Sequence, residues 1–313
     1  MTPVTLCECF ARDGLQHEPV FVPTHEKVGL IDAFTRAGFT RIETTSYSHP
    51  GQVPAFADAS EVLERAPRRP GVRLKATCPN LRAVQRACAD RAAGRGADEL
   101  SFLVSATETH SEQNLRATRE QQWRRVAEMT ERAGSAFLLV GVISVAFGCP
   151  FEGTVDPGNV LEDVARFAAL GITLVTIGDT IGLATPRSVT SLFTRIRAEH
   201  PTVTPIGHFH DTRGAGIANC VAALEADCHH LDSAFGGVGG HPAGIRYGGG
   251  DTGNVCTEDL AFLLDAMGAS TGLDLDEVMR ASRACERVLG RPLGSKIARL
   301  ASAAEEVAHV GVH

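Results

Sequence analysis

Short apolar runs alternate along this chain with longer stretches in which apolar positions recur every third or fourth residue. The short runs have the length of strands, and the longer ones have the period of helices that bury one face. Residues 4–9 predict a first strand. Residues 24–37 predict a helix capped by Thr24, with Lys27, Leu30, Ile31 and Phe34 on a three-to-four spacing. The alternation then repeats. Strands are predicted at 40–43, 73–77, 99–104, 136–144, 172–177, 205–210 and 229–233, and helices at 54–65, 81–91, 116–132, 157–170, 186–199, 214–226 and 257–267. Eight strand–helix units predict an α/β fold, a closed (β/α)8 TIM barrel. An open doubly wound sheet would carry a glycine-rich turn after its first strand. Here that strand runs into Ala11-Arg12-Asp13-Gly14 instead. Residues 274–308 predict two extra C-terminal helices packed on the barrel, interrupted at Gly290, Pro292 and Gly294. The chain, 1–313, reads as a single catalytic domain.

Composition narrows the class. With 313 residues and 43% hydrophobic content, the chain can build one large core. Its formal net charge is -7 and its Lys and Arg residues are scattered, which excludes a nucleic-acid footprint. No apolar run reaches the roughly 18 residues of a membrane span. The first ten residues lack a basic leader and already read as a strand, so no targeting segment is expected. Nine cysteines without a CxxC pair, Cys7 and Cys9 lying two apart on a strand, read as buried thiols in a reducing cytoplasm.

In a barrel of this kind, side chains at the C-terminal strand ends converge on one mouth. Five segments bring polar groups there. Arg12, Asp13 and Gln16 follow strand one, and Glu43, Thr44 and Thr45 end strand two. Asp179 and Thr180 end strand six, His208, His210 and Asp211 end strand seven, and Asn254 closes the loop after strand eight. A lone strand histidine is ordinarily a satisfied core residue. His208 and His210, however, share one face by the period of two, so both can bind one ion. Asp13 adds a carboxylate and Asn254 a carbonyl oxygen. Two nitrogen and two oxygen donors suit Mg2+, Mn2+ or Zn2+, and without thiolates the site reads as open and catalytic. Arg12 reads either as a rim ion pair or as a cation aimed at an enolate oxygen. Glu43 reads as a solvated acid, a base or a partner of Arg12. Asp179 reads as the cap of the turn 180–182 or as a group orienting a ligand. Glycines at 236–240 and 248–250 flank a segment that reads as a lid, in which His241 or Tyr247 can carry a proton.

Several of these stretches together resemble the 3-hydroxy-3-methylglutaryl-CoA lyase family. They are Arg12-Asp13-Gly14-Leu15-Gln16, Ile42-Glu43-Thr44-Thr45-Ser46, Phe147-Gly148-Cys149-Pro150-Phe151-Glu152-Gly153, Gly178-Asp179-Thr180-Ile181-Gly182, His208-Phe209-His210-Asp211-Thr212, and Gly253-Asn254 with Thr257-Glu258-Asp259. The resemblance runs in register through most of the chain. It implies a divalent metal on Asp13, His208, His210 and Asn254, Arg12 as the enolate-stabilising cation, and Glu43 and Asp179 near the reacting hydroxyl. It implies substrate contacts at Gln16, Asn114, Thr180, Ser295 and Lys296, a small-molecule acyl-CoA or hydroxy-acid substrate, and a homodimer with no nucleic-acid or membrane partner. The reaction implied is retro-Claisen cleavage of a 3-hydroxy-3-methyl acyl-CoA, hydroxymethylglutaryl-CoA or a close analogue such as citramalyl-CoA, releasing acetyl-CoA and an oxo acid. Two departures stand out. The family's signature loop reads close to GGCPYAPGASGN. Here it is Gly239-Gly240-His241-Pro242-Ala243-Gly244, then a longer path to Gly253-Asn254, so His241 stands in the place of the cysteine. A polar family segment close to NRKTSSK reads Gly290-Arg291-Pro292-Leu293-Gly294-Ser295-Lys296. The alternatives are a Claisen-condensing acyltransferase of the same superfamily, which would need a 2-oxo acid, and an aldol-type lyase on a CoA-free hydroxy acid. A non-catalytic metal-binding barrel would have no need of Arg12, Asp13, His208 and His210 together.

Overall fold

The computed structural model describes residues 3–240 and 253–300. Eight parallel strands close on themselves in sequence order: β1 (Thr5–Glu8), β2 (Arg41–Ser46), β3 (Arg73–Thr77), β4 (Glu99–Ser105), β5 (Leu138–Ser144), β6 (Leu174–Asp179), β7 (Thr204–Phe209) and β8 (His230–Ser233). The helices are α1 (Thr24–Arg36), α2 (Ala59–Arg65), α3 (Leu81–Ala92), α4 (Glu108–Leu115), α5 (Arg119–Ala133), α6 (Pro157–Ala169), α7 (Pro186–Glu199), α8 (Gly216–Glu225), α9 (Thr257–Ala266) and α10 (Leu275–Leu289). The barrel is therefore as the hydrophobic pattern predicts. Among the described residues no helix is long and apolar enough to cross a membrane.

Three local expectations are corrected. Thr24 does not cap α1: Pro23 holds the capping position, and the Thr24 hydroxyl donates to Asp58 Oδ2 at 2.9 Å. Beside it the buried Lys27 ammonium donates to Asp58 Oδ1 and to the Ala55 carbonyl, so a polar clasp joins α1 to the start of α2. The helix expected at 54–65 begins as a short 3-10 turn, Pro54–Phe56, before α2. The helix expected at 116–132 is α5, which starts at Arg119, and a separate helix that the pattern did not predict, α4, precedes it. Arg116 takes a left-handed conformation and ends α4, and a reciprocal capping box between Thr118 and Gln121 starts α5.

Alternation along each strand divides its side chains between the barrel lumen and the helix layer. Phe209 on β7 faces outward, its ring 6.1 Å from Phe193 of α7, while His208 and its neighbours on that parity face in. On β5 the glycine at 141 makes room for Phe167 of α6: a Cβ there would lie 2.7 Å from the ring. Trp123 of α5 meets the same ring edge-on at 4.7 Å. Inside the barrel, fully buried Arg41 is held by Glu99, with the guanidinium Nη2 2.7 Å from Oε2. After β8, α10 lies against α1 through Val278, Ala281 and Cys285, and the Asp274 amide donates to the Ala37 carbonyl.

Candidate active site

The C-terminal mouth of the barrel opens into a cavity of about 740 Å³. Arg12, Asp13 and Gln16 reach it from the turn after β1, which folds back because the amides of Arg12, Asp13 and Gly14 all donate to the Cys9 carbonyl. Glu43, His208 and His210 reach it from the strand ends, and Asn114 and Thr180 line its wall.

Three donors converge. Ligand atoms of Asp13, His208 and His210 lie within 4.8 Å of one another, and the two Nε2 atoms face each other at 3.1 Å. Asn254 is buried beside them. Its amide nitrogen donates to Asp13 Oδ2 at 2.6 Å and to the Val238 carbonyl at 3.0 Å, which commits both amide protons and fixes the side chain beside Asp13. Gly239 makes this approach possible. It has φ +99°, and a Cβ there would sit 2.6 Å from the Asp13 carbonyl oxygen and 2.9 Å from Asn254 Nδ2. Burial pushes the Asp13 carboxyl up, yet Arg12 and the two histidines outweigh it and hold the group at about 2. A mixed N/O donor set with an ionised carboxylate fits a divalent cation. A second convergent group, Cys7, Cys9 and Asp232, is fully buried in the lumen. The charges of Lys75 and Arg41 bear on it and oppose a cation there.

Around the donor set stand groups that orient it. His208 Nδ1 lies 3.1 Å from Asp232 Oδ2, so its Nε2 is turned toward His210. Burial raises the Asp232 carboxyl, but Lys75 and His208 prevail and set it at about 2. Arg12 is clasped between acids, Nη1 2.9 Å from Asp13 Oδ1 and Nε 3.7 Å from Glu43 Oε1. Burial alone would weaken its charge, but Glu43 and Asp13 more than restore it. Glu43 also accepts the Thr77 hydroxyl at 2.6 Å. The β2–β3 register shifts between Glu43 and Thr45, a local irregularity at the strand end that carries this carboxylate.

Asp179 is a correction. Thr176, Gly178 and Thr180 of the same segment line the cavity, so Asp179 falls on the opposite parity. Its carboxylate accepts the amides of Leu183 and Ala184, and burial raises it to about 6 against those two bonds. It caps a turn. Ser295 and Lys296 are likewise not brought to this cavity. The Ser295 hydroxyl and the amides of Lys296 and Ile297 bind Asp259, which anchors the start of the last described helix. Lys296 instead lines a separate cavity of about 1020 Å³ with Glu18, Phe21, Arg291 and Leu293. His241 and Tyr247, and the glycines 248–250, lie outside the described residues. The run 147–153 folds into a tight antiparallel bridge, Cys149 to Gly153, whose Glu152 accepts the Thr109 amide. Sequence reasoning missed Asp232, Lys75, Thr77, Ser101 and Thr176. Their signal was a polar residue on the lumen parity of a strand.

The residues 3–285 match the family model described as HMGL-like. The chain is 37% identical over 297 residues to the cytoplasmic 3-hydroxy-3-methylglutaryl-CoA lyase of Mus musculus, covering 95% of this chain and 84% of that protein. An HMG-CoA lyase structure from Bacillus subtilis superposes with a TM-score of 0.90 at 32% identity, over 96% of this chain and 99% of that one. An HMG-CoA lyase from Acinetobacter baumannii, solved in complex with coenzyme A and 3-methylmalate, superposes with a TM-score of 0.88 at 34% identity, over 95% and 94%. With the barrel and the converging mouth in place, these similarities establish that the chain belongs to the HMGL-like family and is a carbon–carbon lyase of the hydroxymethylglutaryl-CoA lyase type.

Proposed function

We propose that the chain cleaves a 3-hydroxy-3-methyl acyl thioester of CoA, hydroxymethylglutaryl-CoA or a close analogue such as citramalyl-CoA, into acetyl-CoA and an oxo acid. The observation that carries the reading is Arg12 held beside the Asp13, His208 and His210 donors at the cavity mouth. Asp13, His208, His210 and Asn254 would hold a divalent ion, Mg2+ or Mn2+ before Zn2+. Such an ion supplies Lewis acidity, lowering the pKa of a bound tertiary hydroxyl. Glu43 is the mouth carboxylate that lines the cavity, and it is the group we assign to accept the hydroxyl proton. As that proton leaves, the carbinol becomes a carbonyl. The electron pair of the broken carbon–carbon bond passes to the thioester as an enolate. Arg12, fixed by its two acids, faces the enolate oxygen. A proton delivered to the enolate carbon completes acetyl-CoA, and we assign this step to His241. Gln16, Asn114 and Thr180 line the cavity, and we assign them the contacts to the acyl thioester.

Free thiols at all nine cysteines favour a reducing compartment, and we place the protein in the cytoplasm as a homodimer. The test is product analysis after separate incubation with hydroxymethylglutaryl-CoA and each enantiomer of citramalyl-CoA in Mg2+ or Mn2+. Acetyl-CoA appearing with acetoacetate or with pyruvate identifies the branch. No product from any of them, in protein that binds the ion, overturns the reading in favour of a CoA-free hydroxy acid.

A further inference from the structure

The lumen wall formed by β2, β3 and β4 carries a lysine that the chemistry above does not use. Lys75 occupies the inward parity of β3 and is only 2% exposed, yet it lines the cavity. Its ammonium lies 3.7 Å from Glu43 Oε2, an ion pair longer than a hydrogen bond. Among the described residues no hydrogen bond from Lys75 Nζ is formed, so a side chain that lines the cavity keeps donors uncommitted to protein acceptors. Hydroxyls flank it: Thr77 follows it on the same parity, and Ser101 of β4 lies 2.9 Å from the Thr77 hydroxyl. Across the lumen the Thr176 hydroxyl, also lining the cavity, has no partner among the described residues. An apolar acyl substituent would leave the Lys75 ammonium with only its long ion pair to Glu43 and the Thr176 hydroxyl desolvated, which is costly. Thr77 and Ser101 hold Glu43 and each other, which leaves Lys75 as the charged donor of this wall.

The charge balance points the same way. With the Arg41–Glu99 pair self-neutralised, the cavity lining sets three carboxylates, Asp13, Glu43 and Asp232, against two cations, Arg12 and Lys75. A divalent ion on neutral histidines turns that single negative excess into a single positive one. One anionic group on the substrate then neutralises the closed site. If Lys75 were absent, the loaded site would already be neutral, and a bound carboxylate would be buried without compensation.

We propose that Lys75, flanked by Ser101 of the same wall, is the specificity-determining residue that selects thioesters carrying a free carboxylate on the acyl group, the feature common to the two substrates proposed above. This deepens the lyase reading and rests on it for the thioester. The test separates the two by measuring binding of thioesters that lack the hydroxyl and cannot be cleaved. Glutaryl-CoA and valeryl-CoA are nearly isosteric and differ in the terminal carboxylate.

Isothermal titration of the Mn2+-loaded full chain is expected to show glutaryl-CoA binding at least on the order of tenfold tighter. In Lys75→Met the preference collapses to about twofold or less, while valeryl-CoA and Mn2+ affinities hold. Ser101→Val, which leaves every charge in place, weakens glutaryl-CoA alone. An unchanged preference in Lys75→Met, or an equal loss of Mn2+ and of both thioesters, makes Lys75 a counter-ion of Glu43 and Asp232 and overturns the proposal. Should Lys75→Met not fold, Ser101→Val decides: an unchanged glutaryl-CoA affinity overturns it. Lys75-dependent binding in a protein that cleaves no hydroxyacyl thioester would retain this inference and sink the lyase reading. Cleavage with an indifferent Lys75 would do the reverse.

Discussion

At the scale of single residues, the site depends on charges fixed before substrate arrives. Arg12 is held by two carboxylates and cannot swing away, so its contribution belongs to the transition state more than to binding. Arg12→Met is expected to keep the metal bound and slow cleavage by roughly 10²–10³-fold, the usual effect of removing one such donor. Metal titration beside steady-state kinetics checks it, and an unaltered kcat would remove Arg12 from the reaction. Asp232 acts through His208. Asp232→Asn should weaken divalent-ion affinity by roughly 10–100-fold while the fold persists, because the imidazole loses the acceptor that sets its tautomer. Competition with a metallochromic chelator measures this directly. The His208–His210 pair was legible in the sequence because a period of two is unambiguous over two residues. Of the two readings open for Asp179 the structure favours the turn cap, and the choice is not legible in the sequence because the parity of β6 becomes clear only once Gly178 pairs with His208 and Asp179 with Phe209. Lys75 carries no sequence signal beyond its parity because it lies mid-strand. Asp232 is penultimate in β8 as His208 is in β7, but it belongs to no His-x-His pair of the kind that singles out His208 and His210.

Elements were legible where side chains alternate strictly or where helices carry strong periodicity. The ranges 73–77 and 186–199 were read to the residue. The pattern did not show α4, whose sequence Glu108–Leu115 is mostly polar and buries only His110 and Ser111, and it started the next helix at Arg116, the left-handed residue that ends α4. There the left-handed residue and the capping box decide, and both are set by hydrogen bonds. Nor could the pattern show that Thr24 spends its hydroxyl on Asp58, thirty-four residues away. Phe167 of α6 packs on β5, filling the space over Gly141 and meeting Trp123. Phe167→Ala is expected to cost about 3–5 kcal/mol, since the backbone of β5 and the indole cannot both collapse into the void. Urea denaturation checks it, and a loss below 1 kcal/mol would show that the wall relaxes.

For the molecule as a whole, closure of eight strands is what brings β1 beside β8 and makes one site from residues far apart in sequence. The seam is sealed by Glu8, fully buried, which accepts the amides of Phe10 and Phe235 and the hydroxyl of Thr257. Burial raises its carboxyl to about 8 despite those three bonds. The folded chain therefore holds a proton that the unfolded chain releases at its ordinary value of 4.5. The stability from Glu8 is complete below that ordinary value and is lost as pH rises through the folded one. Metal-free protein should accordingly weaken toward pH 8, and Glu8→Gln should flatten that slope; equal slopes would place the titration elsewhere. The central claim, that cleavage occurs at an ion held by Asp13, His208, His210 and Asn254, is tested most directly by titrating Mn2+ into chelator-treated protein while acetyl-CoA release is followed. We predict that activity rises in step with occupancy of a single ion per chain, and that His208→Ala abolishes both binding and release. Cleavage by the metal-free protein, or by His208→Ala at the wild-type rate, would contradict the account.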